Sequence, residues 1–266
     1  MAMLPLNQWP AGERAAIDGV LADIDDTLTT EGQVTDDAVD ALARLRAAGL
    51  HVMLITGRPA GWSEPFALTL PVDAIVAENG AVALWREQGR LSKAYQQDQD
   101  TRARNLARLR QVQARILREV PGAQASTDSA GRECDIAIDH GEFHHLPPEA
   151  IAEVLRIMRA EGMHASVSSI HVNGWYGDHD KLAGARWILR QRLGCELDAE
   201  LRRWVYVGDS TNDQVMFRHF RHSVGVANIR RFEAELRHFP RHVCRAERGA
   251  GFAELADALL AARGVS

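Results

Sequence analysis

Three carboxylates stand within four residues at Asp23-Ile24-Asp25-Asp26, directly behind a short apolar run that begins at Val20. An uncharged run of this kind reads as a strand buried on both faces. Acids crowded at its C-terminal end repel one another unless something cationic joins them. Carboxylate oxygens suit a divalent cation such as magnesium. Taken alone, the segment also reads as a polar turn with a helix-capping Asp.

The residues after this cluster fix the fold class. Thr35 can cap a helix over residues 35–48, where Val39, Leu42 and Leu45 recur at helical spacing. Gly49 ends that helix, and His51–Thr56 reads as a second strand. Strand, helix and strand in this order predict a parallel sheet with a right-handed crossover. The last third repeats the pattern. A helix is expected over Lys181–Leu193, ended by Gly194, then a strand at Trp204–Val207 and a helix at Asp213–Phe220. A strand at Ser223–Val226 and helices at Arg230–His238 and Phe252–Ala262 complete it. The expected class is α/β, with a doubly wound, Rossmann-like parallel sheet.

The middle departs from this alternation. A hairpin around Gly89 precedes a long helix over residues 98–120 and a strand at Cys134–Ile138. Pro147-Pro148 opens a helix running to about residue 161, and strands at Met163–Val167 and Ile170–Val172 come next. The expected organisation is a core made of residues 1–82 and 176–266, interrupted by an inserted α+β domain over 83–175.

Three more segments carry chemistry. Thr56-Gly57-Arg58 ends the second strand, where a hydroxyl, a flexible backbone and a guanidinium suit a phosphate. Lys181 opens the helix that returns from the insertion. Gly208-Asp209-Ser210-Thr211-Asn212-Asp213 places two further carboxylates beyond a strand end. Helix capping accounts for Asp213 but not for Asp209. All of these lie at strand C-termini, where open α/β sheets bind ligands.

In these residues the chain resembles the haloacid dehalogenase superfamily of phosphotransferases, and within it the Cof-like subclass, subfamily IIB, with a large α+β cap. The Asp-x-Asp-x-Thr motif matches Asp23, Asp25 and Thr27, and the second motif matches Thr56. Lys181 matches the third, Gly208, Asp209 and Asp213 match the fourth, and Glu78-Asn79-Gly80-Ala81 resembles the Asn-Gly-Ala segment that precedes such caps. One position departs from the pattern: Asp26 stands where these phosphatases often carry Gly.

The resemblance implies a phosphatase. Asp23 would be the nucleophile that becomes an aspartyl-phosphate, and Asp25 the acid and then the base. Mg²⁺ would sit on Asp23, the Asp25 carbonyl and Asp209, with Asp213 and Asn212 behind them. Thr56 and Lys181 would hold the transferring phosphoryl oxygens. The substrate would be a small phosphorylated metabolite, commonly a sugar phosphate. Thr27, Gly57, Arg58 and Asn79 from the core, and Ser168, His171 and Asn173 from the cap, are candidate contacts. A phosphomutase using the same pair of aspartates, or a receiver-like phospho-aspartate switch, stays open at this point.

Composition narrows the partners. Lys and Arg number 31 against 36 Asp and Glu, a net charge of −5, which disfavours a role based on nucleic-acid backbones. The arginines of the 98–120 helix read as a solvated face. The histidines between His140 and His179 stand at no recognised zinc spacing, so a second metal site is disfavoured. Cys134, Cys195 and Cys244 form no disulfide or zinc framework. No secretory signal and no apolar stretch of membrane-spanning length is visible. The expectation is a cytoplasmic protein, monomer or homodimer, without a membrane or nucleic-acid partner.

Overall fold

The computed structural model describes residues 3–265. In chain order its strands are β1 (Leu4–Pro5), β2 (Gly19–Ala22), β3 (Thr29–Thr30), β4 (Gln33–Val34), β5 (His51–Ile55), β6 (Ala74–Ala77), β7 (Val82–Glu87), β8 (Arg90–Tyr95), β9 (Gln124–Ala125), β10 (Asp135–Asp139), β11 (His164–Val167), β12 (His171–Trp175), β13 (Trp204–Gly208), β14 (His222–Gly225) and β15 (His242–Val243). The helices are α1 (Ala11–Ala15), α2 (Asp36–Ala47), α3 (Ala60–Thr69), α4 (Gln99–Glu119), α5 (Pro148–Ala160), α6 (Lys181–Leu193), α7 (Leu197–Glu200), α8 (Gln214–His219) and α9 (Arg248–Ala262).

The main sheet has the order β1-β15-β14-β13-β2-β5-β6-β7-β8. Every pairing from β1 to β6 is parallel, and β7 and β8 add an antiparallel edge. The expected doubly wound α/β class is therefore observed. The sheet's central strands are apolar throughout because both faces are covered. Val20, Val52, Leu54, Val205 and Val207 meet the face packed by α2 and α9. Leu21, Met53, Val76 and Tyr206 meet the face packed by α6 and α8. The alternation arises because successive side chains of a strand point to opposite faces.

A second, antiparallel sheet has the order β11-β12-β10-β9. One face carries Ile136, Ile138 and Val172 into a separate core with α4 and α5 (Leu109, Ile116, Val154, Ile157). The opposite face carries Asp135, Asp139, His171 and Asn173, all buried. A strand face that is polar and also buried must lie against something polar. Here that is the C-terminal edge of the main sheet, where the Asn173 side chain reaches the Gly57 carbonyl at 3.3 Å.

Three expectations change. The hairpin β7–β8, turned at Gln88-Gly89 with both residues at positive φ, does not begin an insertion at residue 83. It extends the main sheet, because Val82–Leu84 pair with β6. The small sheet and its two helices occupy only the segment from α4 to β12. The helix expected over Arg230–His238 is a 3₁₀ stretch at Ala227–Phe232, after which the chain returns to β15 with Leu236 tucked into the core. Thr35 stands at the N-terminus of α2, but its hydroxyl bonds the Leu28 carbonyl rather than a helix N–H. Among the described residues no helix is long and apolar enough to cross a membrane.

Candidate active site

Three adjacent strands deliver the site. Asp209 follows β13, Asp23 follows β2 and Thr56 follows β5. From β2 the chain fills the sheet toward β6 on one side, and from β13 toward β15 on the other. The gap between them is the switch point at which such sheets open a ligand crevice.

Lys181 sits at the first turn of α6, fully buried, with its Nζ 2.8 Å from Asp23 Oδ1 and 2.7 Å from Asp213 Oδ1. Burial works against its charge, but the two carboxylates outweigh burial and hold its pKa above the usual lysine range. Two glycines let these groups meet. A Cβ on Gly80, whose φ is +110°, would stand 2.2 Å from the Asp180 carbonyl, blocking the approach of α6. A Cβ on Gly208 would stand 2.4 Å from Asp213 Oδ2.

Asp213 is saturated. Oδ1 accepts from Lys181 and the Tyr206 hydroxyl, and Oδ2 accepts the backbone N–H groups of Asp209 and Ser210 at 3.0 and 3.1 Å. It therefore orients Lys181 and the Gly208–Ser210 turn. Asp209 is the reverse case. It is fully buried, and among the described residues its carboxylate receives only the Thr27 hydroxyl at 3.4 Å and the Asn228 amide at 3.3 Å. Burial, then Asp213 and Asp23, push its pKa well above the ordinary aspartate value. Burial likewise pushes Asp23 up to about 7, with Lys181 pulling it back and Asp213 and Asp25 adding to the rise.

This environment fits a divalent cation. Carboxylate oxygens of Asp23, Asp209 and Asp213 lie within 4.8 Å of one another, all buried. The lysine engages Asp23 and Asp213 and leaves Asp209 without a cation, so positive charge is short at Asp209. Magnesium's preference for oxygen ligands matches the set.

Asp25 lies beside this cluster, its Oδ1 2.8 Å from Arg58 Nε. Asp26 adopts φ 54°, a left-handed conformation that Gly takes freely and Asp tolerates. Its carbonyl accepts from Asn228 and its carboxylate meets Arg248 at 3.1 Å. Thr56 is buried, and its Oγ1 accepts the Arg58 N–H at 3.0 Å.

The expected substrate contacts divide. Arg58 lines a cavity of about 560 Å³ together with Asp25, Trp62 and residues of the small sheet's loops. Its guanidinium is held by Asp25, by Asp128 at 3.2 Å and by Glu142 at 2.7 Å. His171 stands behind Glu142 at 3.0 Å. Asn79 and Asn173 both bond Asp135, and Asn173 and Arg132 bond the Gly57 carbonyl, so these groups form the seam between the two sheets. Ser168 closes the β11–β12 turn through its bonds with His171. Asn212 accepts from the Ser210 hydroxyl and steadies the turn rather than the acids. The Ser168 hydroxyl is taken up by these contacts, the Asn79 and Asn173 amide N–H groups turn to Asp135, and the Gly57 carbonyl is held by Arg132 and Asn173.

Sequence reasoning missed Glu142, Asp128, Tyr206, Asn228 and Glu78. The Glu78 carboxylate accepts N–H groups from Ala60, Glu133, Cys134 and Asp135, tying β6's end to the start of β10. Its only sequence signal is an acid inside an otherwise apolar strand end.

Residues 20–119 match the family described as haloacid dehalogenase-like hydrolase. Over that stretch the chain is similar to the haloacid dehalogenase-like hydrolases. It is a phosphoric monoester hydrolase. Phosphoglycolate phosphatase 1 of Saccharolobus solfataricus is 25% identical over 245 residues, covering 91% of this chain and 95% of that one. A solved structure from Thermoplasma acidophilum superposes with a TM-score of 0.69 at 17% identity, covering 91% of this chain and 98% of that one. The sucrose-phosphatase of Synechocystis, solved with sucrose and phosphate, gives 0.64 at 16% identity, with 91% and 97% covered. These two likenesses concern the superfamily fold.

Proposed function

We propose that this phosphatase is magnesium-dependent, acts on a small sugar phosphate and works through an aspartyl-phosphate on Asp23. The observation that carries the reading is the convergence of Asp23, Lys181 and Asp209 at the ends of adjacent strands, with Asp25 alongside. Asp23 and Asp209, with the main-chain carbonyl of Asp25, would hold the ion. Magnesium, when bound, neutralises the crowded acids and the phosphoryl oxygens.

The remaining chemistry belongs to the chain. An Asp23 carboxylate oxygen attacks phosphorus as the bond to the leaving oxygen breaks, and the Asp25 carboxyl gives that oxygen its proton. Asp25, now a carboxylate, takes a proton from the water that attacks phosphorus, and inorganic phosphate departs with Asp23 restored. Lys181, fixed by Asp213, offsets the charge that would otherwise repel an anionic substrate from Asp23. Thr56 lies at the strand end where the phosphoryl oxygens would rest. The small sheet acts as a cap whose polar face excludes water from the site.

The test is phosphate release from a library of phosphorylated metabolites, with magnesium and with chelator. Turnover should require magnesium and should vanish in Asp23→Asn with the circular dichroism unchanged. Full turnover in that variant, or in chelator, overturns the reading.

A further inference from the structure

Resting on the phosphatase reading, we propose that the cavity in front of Asp25 selects an uncharged polyol as the leaving group and rejects one that bears a carboxylate, with Glu142 and Asp128 setting that choice. The cavity wall is rich in acceptors. It carries the carboxylates of Asp25, Asp26, Glu31, Asp128 and Glu142, and among the described residues its only cationic side chains are Arg58 and Arg248.

The Arg58 guanidinium is not free to receive a substrate carboxylate. Arg58 directs Nε and Nη2 at Asp25, Nη1 at Asp128 and Glu142, and Nη2 also at Glu142, and it is only 4% exposed. An arginine has five N–H donors; four make hydrogen bonds here, and Nη2 also lies 2.8 Å from Asp25. Arg248 lies 3.1 Å from Asp26 through Nε, so its charge is already offset by that carboxylate although among the described residues its guanidinium N–H donors make no hydrogen bond. Glu31, at the tip of the β3–β4 turn, pairs with no cation among the described residues. An incoming carboxylate would face like charge on several sides and would have to displace Glu142 or Asp128 from Arg58.

Hydroxyl groups meet the opposite situation. Ionised carboxylates only accept hydrogen bonds, and a polyol supplies donors without adding charge. Trp62, beneath the Arg58 guanidinium at 4.9 Å, and the exposed Phe143 add apolar wall suited to the C–H face of a sugar ring. Glu142 is itself set by its loop: the Asp139 carboxylate accepts the N–H groups of Gly141, Glu142 and Phe143. The acid that fills Arg58 is therefore placed by the cap and not by the catalytic core.

The experiment measures kcat/KM with magnesium for matched pairs, glucose 6-phosphate against 6-phosphogluconate and glycerol 3-phosphate against 3-phosphoglycerate. 2-Phosphoglycolate and p-nitrophenyl phosphate accompany them. The neutral member should be preferred by about tenfold or more in at least one pair, as like-charge repulsion in a dry pocket requires. Glu142→Gln, and independently Asp128→Asn, should narrow that ratio several-fold by freeing N–H donors of Arg58. The ratio is read within each variant, so a general loss of activity does not affect it. Turnover of p-nitrophenyl phosphate with no preference for the neutral member of any pair overturns this selection alone. An unchanged ratio in both variants overturns the assignment to Glu142 and Asp128. Absence of turnover on every compound overturns the phosphatase reading and this inference with it.

Discussion

Gly208→Ala adds one methyl group and should disable the site while sparing the fold. The new Cβ would lie 2.4 Å from Asp213 Oδ2 and 2.5 Å from its Cγ, whereas ordinary contact begins near 3.4 Å. Either the strand end or Asp213 must retreat by about 1 Å. Strand β13 is held on both sides by β2 and β14, so the carboxylate is the part that moves. That carboxylate fixes Lys181, the Tyr206 hydroxyl and two backbone N–H groups. Overpacking of this kind costs about 1–3 kcal/mol, which for a chain of this length lowers Tm by about 2–12 °C. A displacement of about 1 Å in a positioning group costs roughly a hundredfold in rate. The loss should fall on kcat, since the proposed mechanism uses Lys181 and Asp23 in the chemical step. Steady-state kinetics on a phosphate-release assay, with thermal melts of the same preparation, separates the two effects. A variant with wild-type kcat would refute the argument that Asp213 sets the lysine.

Two further outcomes are expected. His242 is buried against Trp9, with His222 stacked on the same indole, and burial, then Arg241 and His222, push its pKa down to about 4. The folded state thus holds a neutral imidazole while the unfolded chain takes a proton near pH 6.5. Stability is complete above that pH and is lost as pH falls through 6.5 toward 4, by about 1 kcal/mol at pH 5 after allowing for solvent screening. Urea titrations at pH 7 and 5 on the wild type and His242→Gln check this, and an equal loss in both refutes it. At Asp26, whose φ is 54°, Asp26→Gly should keep stability and turnover, whereas Asp26→Val should lose about 1–2 kcal/mol because a β-branched side chain resists that conformation. Thermal melts of the two variants decide it.

The catalytic motifs were legible because each is local. A strand, a turn and two or three polar residues lie within six positions of one another, and the sheet then brings the strand ends together. The fate of Arg58 was not legible. Its partners Asp25, Asp128 and Glu142 lie 33, 70 and 84 residues away, and nothing in Thr56-Gly57-Arg58 distinguishes a guanidinium that meets substrate from one already filled. The bonds of Asn79 and Asn173 to Asp135 were hidden for the same reason, at separations of 56 and 38 residues. Helix α3 went unnoticed because Pro65 interrupts it and its apolar residues face more than one way. The β7–β8 hairpin was assigned to the insertion because an antiparallel hairpin reads the same whether it starts a new sheet or extends an old one. Only its pairing with β6 decides.

The position of β2 in the sheet has a consequence for assembly. One neighbour, β5, lies about thirty residues downstream, while the other, β13, comes from more than 180 residues downstream. As the polypeptide is made, the half of the sheet bearing Asp23 can therefore form long before Asp209 and Asp213 exist beside it. A nascent chain is spared the repulsion of the completed acidic cluster until its last third has been synthesised. The helix that begins with Lys181 precedes β13 in sequence, so the cation is available before the second group of carboxylates arrives. Ion binding at these acids would then report that the final long-range strand pairing has closed, which is the slow kind of step for a sheet of this topology.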